Sequence, residues 1–308
     1  KAMKRTPFDN GGRRQEMLEY DFIVVDEMSM CDTELFASFL SSVKSGTTIL
    51  LAGDPDQLPS VGPGQVFRDL IASGVIPVFR LTQMVRQDEV SGIPKNARAA
   101  LAGEPLKEYP DFKISMDTAG ESIADRVLKE AGAFPSMPLI LSPVKNGEGG
   151  IYELNRMMQE RFRKTDAPIW INGVRFYAGD PVIMTRNNYK HGYFNGEAGT
   201  LVRAEGGILI ISLPGRMLAL DISDASEMAL AYAVTVHRAQ GTEADYCITV
   251  LPGDAWHMVS GELLNTAFTR AKKAVSVVAS RRVLEHYGDV KLECRDCALP
   301  ELLAQMDR

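Results

Sequence analysis

The sequence predicts an α/β fold with parallel sheets, and three features predict it. Short apolar runs alternate with segments whose apolar residues recur at helical spacing, the pattern of buried strands covered by helices on both faces. Two of those runs, "FIVVDE" (22–27) and "ILLAGDPDQ" (49–57), break directly into acids and a glutamine, so two strands deliver polar groups to one sheet edge. Beyond residue 165 the texture shifts to short apolar runs cut by Gly, Asn-Gly and Pro-Gly, as expected of a small all-β unit, a barrel among the options. With 308 residues the chain is long enough for two domains.

Taken in order, residues 1–20 are basic and polar, with Lys1, Lys4, Arg5, Arg13 and Arg14 around "DNGG" (9–12), a hairpin-turn signal. "DFIVVD" (21–26) reads as a buried strand. "TELFASFLSSV" (33–43) reads as a helix with Leu35, Phe36, Phe39, Leu40 and Val43 on one face. "TTILLAG" (47–53) is a second strand and "GQVFRDLIAS" (64–73) a second helix. The alternation resumes with a helix at 122–131, a strand at 137–142 and a helix at 150–162. After the β-rich stretch, "DYCITVLP" (245–252), "ELLNTAFTRAKK" (262–273) and "AVSVVAS" (274–280) restore strand, helix and strand. The expected organisation is an incomplete first α/β unit, a complete second one, and a β insertion inside the second.

Composition narrows the function. The apolar share of 45% and charged share of 24% are those of a globular protein. No apolar run approaches the roughly 20 residues of a bilayer span, and no secretory signal opens the chain. Four cysteines, at 31, 247, 294 and 297, are too scattered for a disulfide framework and point to a reducing cytoplasm. "CRDC" (294–297) would need two further ligands for zinc, with His286 alone nearby, so these are read as incidental thiols. The net charge of −6 speaks against binding nucleic acid through bulk charge; a local basic groove would be needed.

An apolar strand ending in Asp-Glu is how P-loop NTPases build the second half of their active site: the acid Asp26 serves Mg²⁺ and Glu27 activates the attacking water. The competing reading is an acidic helix start, with Asp26 or Ser29 as the cap and Glu27 in the first turn. Gln57, emerging beyond the second strand, fits a γ-phosphate sensor, or else a polar residue of a turn-rich loop.

Three further stretches carry the family. "LTQMVRQ" (81–87) holds Arg86, "YAVTVHRAQGTEAD" (232–245) holds His237, Gly241 and Glu243, and "LLNTAFTRAKK" (263–273) sets Thr269 and Arg270 on a helix. With the stretches around 24–30 and 49–59, their order and wording resemble motifs II to VI of superfamily 1B DNA helicases of the RecD type, the α subunit of exodeoxyribonuclease V and its stand-alone relatives. "PVIMTRNNYKHGYFNGEAGTL" (181–201) resembles the start of that family's inserted β domain. The likeness runs from about residue 21 to 280.

The resemblance implies RecA-like P-loop NTPase sheets: a partial domain 1A at 21–80, a domain 2A at 81–178 and 229–308, and an SH3-like barrel, domain 2B, at 179–228. Residues 1–20 would be the remnant of a strand-separating pin, or a basic tail. It implies ATP and Mg²⁺ as cofactors, Asp26 as the metal ligand, Glu27 as general base, and Gln57 on the γ-phosphate. Arg86 and Arg270 would act as arginine fingers, a planar, permanently charged fork suiting phosphate oxygens; a solvated basic face with Lys272 and Lys273 is the alternative for Arg270. Glu243 would hold the ribose, with Gly241 allowing close approach. Thr235, His237, Ser60, Pro143, Arg186 and Asn187 would contact single-stranded DNA, or, for 185–196, simply pack a β-hairpin. Partners would be single strands, duplex ends and nuclease or helicase subunits of a recombination complex, with no membrane.

One departure is plain. No G-x-x-x-x-G-K-[ST] occurs in the 308 residues, although that loop cradles the phosphates. The expectation is a C-terminal portion of a longer helicase with little or no ATP hydrolysis of its own and with bare strand edges prone to self-association. The rivals are a non-catalytic single-strand-binding module of the same ancestry, and an RNA or relaxase-type helicase.

Overall fold

The computed structural model describes residues 17–81, 90–116, 120–163, 165, 167–291, 295 and 297–306. The basic start (1–16), Arg86 and Cys294 therefore lie outside the described residues. The chain divides into two compact units, Lys1–Val85 with Lys291–Arg308, and Arg86–Val290.

In the first unit, β1 (Phe22–Val25) runs parallel to β2 (Thr48–Leu51), with Phe22 opposite Thr48 and Val25 opposite Leu51. Helix α1 (Thr33–Ser42) connects them, and α2 (Val66–Ser73) follows β2. Alternation decides which side of the sheet is covered. Val25 and Leu51 pack with Met28, Val66 and Leu70, joined by Leu299 and Leu303 of a C-terminal helix, Leu299–Met306. Phe22, Val24 and Leu50 point the other way and are each at least half exposed. Helix α1 departs from the expected face: Phe39 is buried, whereas Leu40 is exposed. Two strands offer too narrow a surface to cover all five apolar positions.

The second unit opens with α3 (Gly92–Ala102) and β3 (Phe112–Met116), two elements absent from the apolar pattern described above. Then come α4 (Ile123–Ala133), β4 (Leu139–Ser142) and α5 (Ile151–Phe162). The β-rich stretch supplies β5 (Ile169–Ile171), β6 (Val174–Phe176), β7 (Pro181–Met184), β8 (Ala198–Glu205), β9 (Ile208–Leu213), β10 (Arg216–Asp221) and β11 (Met228–Leu230). The unit closes with β12 (Ala233–Thr235), β13 (Ala244–Leu251), α6 (Gly261–Phe268), β14 (Ala271–Ala279) and α7 (Arg281–His286).

Five of these strands form an all-parallel sheet in the order β12-β4-β13-β14-β3. Its middle is buried on both faces, as a parallel sheet between helices must be. Ile140, Ile248, Val250 and Val278 pack on Val127, Leu154 and Met158 of α4 and α5, each side chain contributing about 1.5–3 kcal/mol. A separate antiparallel sheet has the order β10-β9-β8-β7-β11. Its core of Met184, Tyr193, Leu201 and Ile211 also takes in Ile171 and Phe176 from the β5–β6 hairpin. That hairpin turns at Asn172 and Gly173, both at positive φ, the Asn-Gly turn matched to strand twist.

A buried carboxylate joins the two sheets of this unit. Asp180, 1% exposed, accepts hydrogen bonds from the Tyr232 hydroxyl (2.9 Å), the Gln159 amide (2.6 Å) and the Tyr177 backbone N–H (2.8 Å). Desolvation, then the adjacent Asp180 carboxylate, push the Tyr232 phenol well above its ordinary range, so it remains a donor at any physiological pH. Among the described residues no helix is long and apolar enough to cross a membrane.

Candidate functional site

In the first unit the polar groups gather where β1 and β2 end. Backbone bonds carry the parallel register past the strands: Ala52 N–H donates to Val25 O (2.8 Å) and Met28 N–H to Ala52 O (2.9 Å). Gly53 permits this contact, since a Cβ there would lie 3.0 Å from Met28 N. Asp26 is exposed, and its Oδ1 accepts from the Glu27 N–H at 2.8 Å. Glu27 adopts the left-handed region, φ 54° and ψ 42°, at a cost of order 1–3 kcal/mol for a non-glycine residue. A short 3-10 turn, Met28–Met30, follows. The helix-start reading fails here: α1 is capped by Asp32, whose carboxylate accepts from Leu35 N–H at 2.8 Å, and Glu27 lies before the helix with no capping bond.

Gln57 sits on the loop after β2. Its Nε2 reaches Asp54 Oδ2 only at 3.5 Å, and its Oε1 is buried without a hydrogen-bond partner, as is Ser29 Oγ. Each such buried orphan costs about 1–3 kcal/mol. A strained acid, an exposed acid and two orphaned polar atoms on neighbouring loops fit a magnesium nucleotide, because Mg²⁺ uses one or two protein carboxylates and takes its other ligands from phosphate and water. Asp26 would be that ligand. Among the described residues no three His, Cys, Asp or Glu side chains cluster to hold a metal ion unaided.

The loop that follows is tied down from the C-terminal segment. Arg295 Nη1 donates to Gly62 O (2.5 Å) and Gly64 O (2.9 Å). Ser60 is buried, its hydroxyl directed to the same two carbonyls, so its side chain shapes the loop instead of facing outward. Replacing Arg295 by Ala should expose these carbonyls and loosen the loop; amide hydrogen exchange of residues 58–65 should quicken several-fold while that of β13 and β14 stays unchanged.

In the second unit, Gly241, Glu243 and Arg270 meet at the amino ends of β13 and β14, where Ala244 N–H donates to Arg270 O at 2.9 Å. Gly241 holds φ 74° with open space around it, so backbone conformation alone calls for glycine. Glu243 pairs with Lys272 at 3.0 Å. Arg270 does not lie on a helix. Helix α6 ends at Phe268 and β14 begins at Ala271, because side chains satisfy the last helical carbonyls: Thr269 Oγ1 donates to Asn265 O and Thr266 O, and Arg270 Nε to Thr266 O. Nor does Arg270 share a solvated basic face. It is 6% exposed, with Nη1 on Thr242 O at 3.2 Å, while Lys273 turns to Asp245.

The remaining candidates lie elsewhere in this unit. Thr235 ends β12, and its hydroxyl accepts from Arg238 N–H at 3.3 Å. Pro143, beyond β4, is buried, whereas the following Lys145 and Asn146 are exposed. Arg186 is exposed 3.6 Å from Glu227, and Asn187 braces its hairpin by accepting from Asn195 N–H at 2.9 Å. Tyr193 of that hairpin is core, whereas Tyr189 is 54% exposed.

His237 is exposed as a residue, yet desolvation of its ring lowers its pKa below the ordinary 6.5, leaving it neutral at pH 7. The unfolded chain therefore binds the proton first as pH falls, and stability rises with pH across that interval. Stability is unpenalised above about pH 6.5 and drops as acidification continues toward the lowered folded value. Urea titrations from pH 7.5 to 5 should show this slope, and His237→Gln should flatten it.

Sequence comparison identifies two families. Residues 3–111 match the AAA domain and residues 230–278 the UvrD-like helicase C-terminal domain. The chain is 33% identical over 297 residues to the ATP-dependent RecD2 DNA helicase of Deinococcus radiodurans, covering 94% of this chain and 41% of that protein. It is 31% identical to the RecBCD enzyme subunit RecD of Mycolicibacterium smegmatis, covering 87% of this chain and 51% of that one. The chain thus spans about half or less of the length of these relatives. In fold it resembles Bacteroides Pif1 bound to ssDNA, with a TM-score of 0.56 at 15% identity over 94% of this chain and 79% of that one. Bacteroides Pif1 helicase in complex with ADP-AlF3 and ssDNA gives 0.54 at 14% identity over 93% and 78%. Shared motif order, relatives along nearly the whole chain and a common α/β fold place this protein among the RecD-like helicases of superfamily 1B.

Proposed function

We propose that this chain is the C-terminal part of an ATP-dependent 5′–3′ DNA helicase acting in recombination and repair in the cytoplasm. The observation that carries the reading is the end of β1, where Glu27 is held in the left-handed region beside exposed Asp26 and an orphaned Gln57 Oε1. Strain and unsatisfied polar atoms concentrate at functional sites. Asp26 holds Mg²⁺, Glu27 takes the proton of the attacking water, Gln57 contacts the γ-phosphate, and Arg86 and Arg270 supply charge to the transferring phosphoryl group. Gly241 and Glu243 hold the nucleotide. The first unit is a partial RecA-like domain 1A, the second a RecA-like domain 2A, and its antiparallel sheet an SH3-like domain 2B. Single-stranded DNA lies along the carboxyl edge of the second unit's parallel strands, near Thr235 and His237, with Arg186 as an outlying contact; Pro143 and Asn187 shape the loops around it, and in the first unit Ser60 shapes the loop after β2. Duplex ends and the other subunits of a recombination complex are the proposed partners.

The sequence has no phosphate-cradling G-x-x-x-x-G-K-[ST], which favours feeble turnover by these 308 residues alone. It also keeps a second reading in play, a non-catalytic single-strand-binding module. Steady-state ATP hydrolysis with and without oligo-dT separates them, measured on this chain and on the same chain extended upstream. The helicase reading expects DNA-stimulated turnover from the extended protein only; an inert extended protein that still binds oligo-dT supports the module.

A further inference from the structure

We propose that Trp256 and Arg282 form a nucleobase-stacking platform on the second unit, taking one base of the single strand assigned above to the carboxyl edge of its parallel sheet; the inference rests on that assignment. Trp256 lies in the short 3-10 segment Gly253–Met258 that follows β13, and Arg282 lies on α7, which follows β14. The guanidinium carbon is 4.9 Å from the indole centroid. The rings of His257 and His286 stand 6.1 Å from the indole at steep angles, 80° and 62°. Trp256 is half-buried, and Arg282, His257 and His286 are exposed, so four side chains with flat π-surfaces stand in one partly exposed cluster.

The cluster adjoins the proposed strand path. The loops after β4, β13 and β14 are packed against one another. A Cβ at Gly149 would stand 3.0 Å from Pro252 Cγ, and one at Gly253 would stand 2.9 Å from Ser280 Oγ. Both glycines are therefore close-approach positions that hold three strand ends together. Neighbouring strands β12 and β4 end at Thr235 and Ser142, and the exposed Lys145 and Asn146 follow. In open α/β sheets ligands gather outside the carboxyl ends of the strands.

Charge says what kind of contact this is. The segments that carry the cluster hold Arg281 and Arg282 alongside Asp254, Glu285 and Asp289, and His286 Nδ1 lies 3.2 Å from Asp289. The patch is close to balanced, so it is a poor phosphate cradle. Indole and guanidinium faces stack on bases irrespective of sequence. Stacking contributes to affinity without releasing counterions, so its loss leaves the salt slope alone.

The chain has two tryptophans, and Trp170, on β5, is 58% exposed. In a Trp170→Phe background all indole emission comes from Trp256. Labelled oligo-dT anisotropy and indole emission are then followed together. We expect quenching that saturates with the anisotropy. Trp256→Ala should weaken binding about tenfold without changing the slope of log affinity against log salt. Trp256→Phe should retain most of the affinity, and Arg282→Ala, at an exposed position, should lose several-fold. Saturating anisotropy with unchanged emission, and wild-type affinity in Trp256→Ala, would overturn the platform while leaving the strand-binding assignment in place; the Trp256–Arg282 pair would then only brace α7. Absence of any oligo-dT anisotropy change would overturn the assignment and the platform together.

Discussion

Glu27→Gln in the upstream-extended protein should lower DNA-stimulated kcat for ATP by 10²–10⁴-fold, the usual contribution of a positioned general base. The geometry explains why the loss falls on kcat. Glu27 and Gln have the same shape, and the left-handed backbone at φ 54° comes from the Val25–Ala52 and Met28–Ala52 hydrogen bonds that close the strand ends, not from the carboxylate. Asp26 keeps the Glu27 N–H on its Oδ1, so metal and nucleotide binding should survive and KM for ATP should change little. Full activity in Glu27→Gln would remove Glu27 from the chemistry and send the search for a base elsewhere.

Asp180→Ala should destabilise the second unit by about 2–6 kcal/mol, since it leaves the buried Tyr232 hydroxyl and Tyr177 N–H without their acceptor at about 1–3 kcal/mol each, while Gln159 keeps its bond to Arg175 O. Tyr232, Gln159 and the Tyr177 amide all donate to this carboxylate, and they come from a loop between the two sheets, from α5 and from the segment after β6. Asp180→Asn should cost less, because the side-chain oxygen can still accept. Urea unfolding gives the comparison. If Ala and Asn proved equally mild, the network would be ornamental and the antiparallel sheet would be held by its apolar core alone.

What was legible in the sequence was short-range. The apolar runs of β4 and β13 read correctly because burial on both faces leaves an unmistakable pattern, and the helical spacing of α2, α4 and α5 read correctly as well; β1 and β2 are strands as expected, but not buried ones on both faces, since Phe22, Val24 and Leu50 are exposed. Helix α3 and strand β3 went unread, although Ser91 caps α3 and Gly103 ends it in a left-handed turn. The end of α6 was misplaced because "TRAKK" is rich in helix formers; the hydroxyl of Thr269 and the guanidinium of Arg270 stop it by occupying its last carbonyls. Ser60 and Pro143, expected to contact single-stranded DNA, are buried by tertiary packing that loop composition does not reveal. Asp180, Arg295 and the Trp256 cluster left no local signal. Defining partners are distant in sequence: Tyr232 lies 52 positions after Asp180, and Arg295 bonds carbonyls 231 and 233 positions before it.

Of the proposed site, the Asp26–Glu27 pair and Gln57 are proposed from strand ends alone, and the structure adds the strain and the orphaned oxygens that spacing could not reveal. Gly241, Glu243 and Arg270, apart in sequence, come together because β13 and β14 pair in parallel with Ala244 opposite Ala271.

Strand displacement separates a motor that moves 5′ to 3′ from a strand-binding module. The upstream-extended protein should unwind a duplex bearing a 5′ single-stranded tail, in the presence of ATP and Mg²⁺, and leave blunt and 3′-tailed duplexes largely intact. Failure to unwind any of the three, in a preparation that binds oligo-dT, would rule out the motor and leave a strand-binding module in its place.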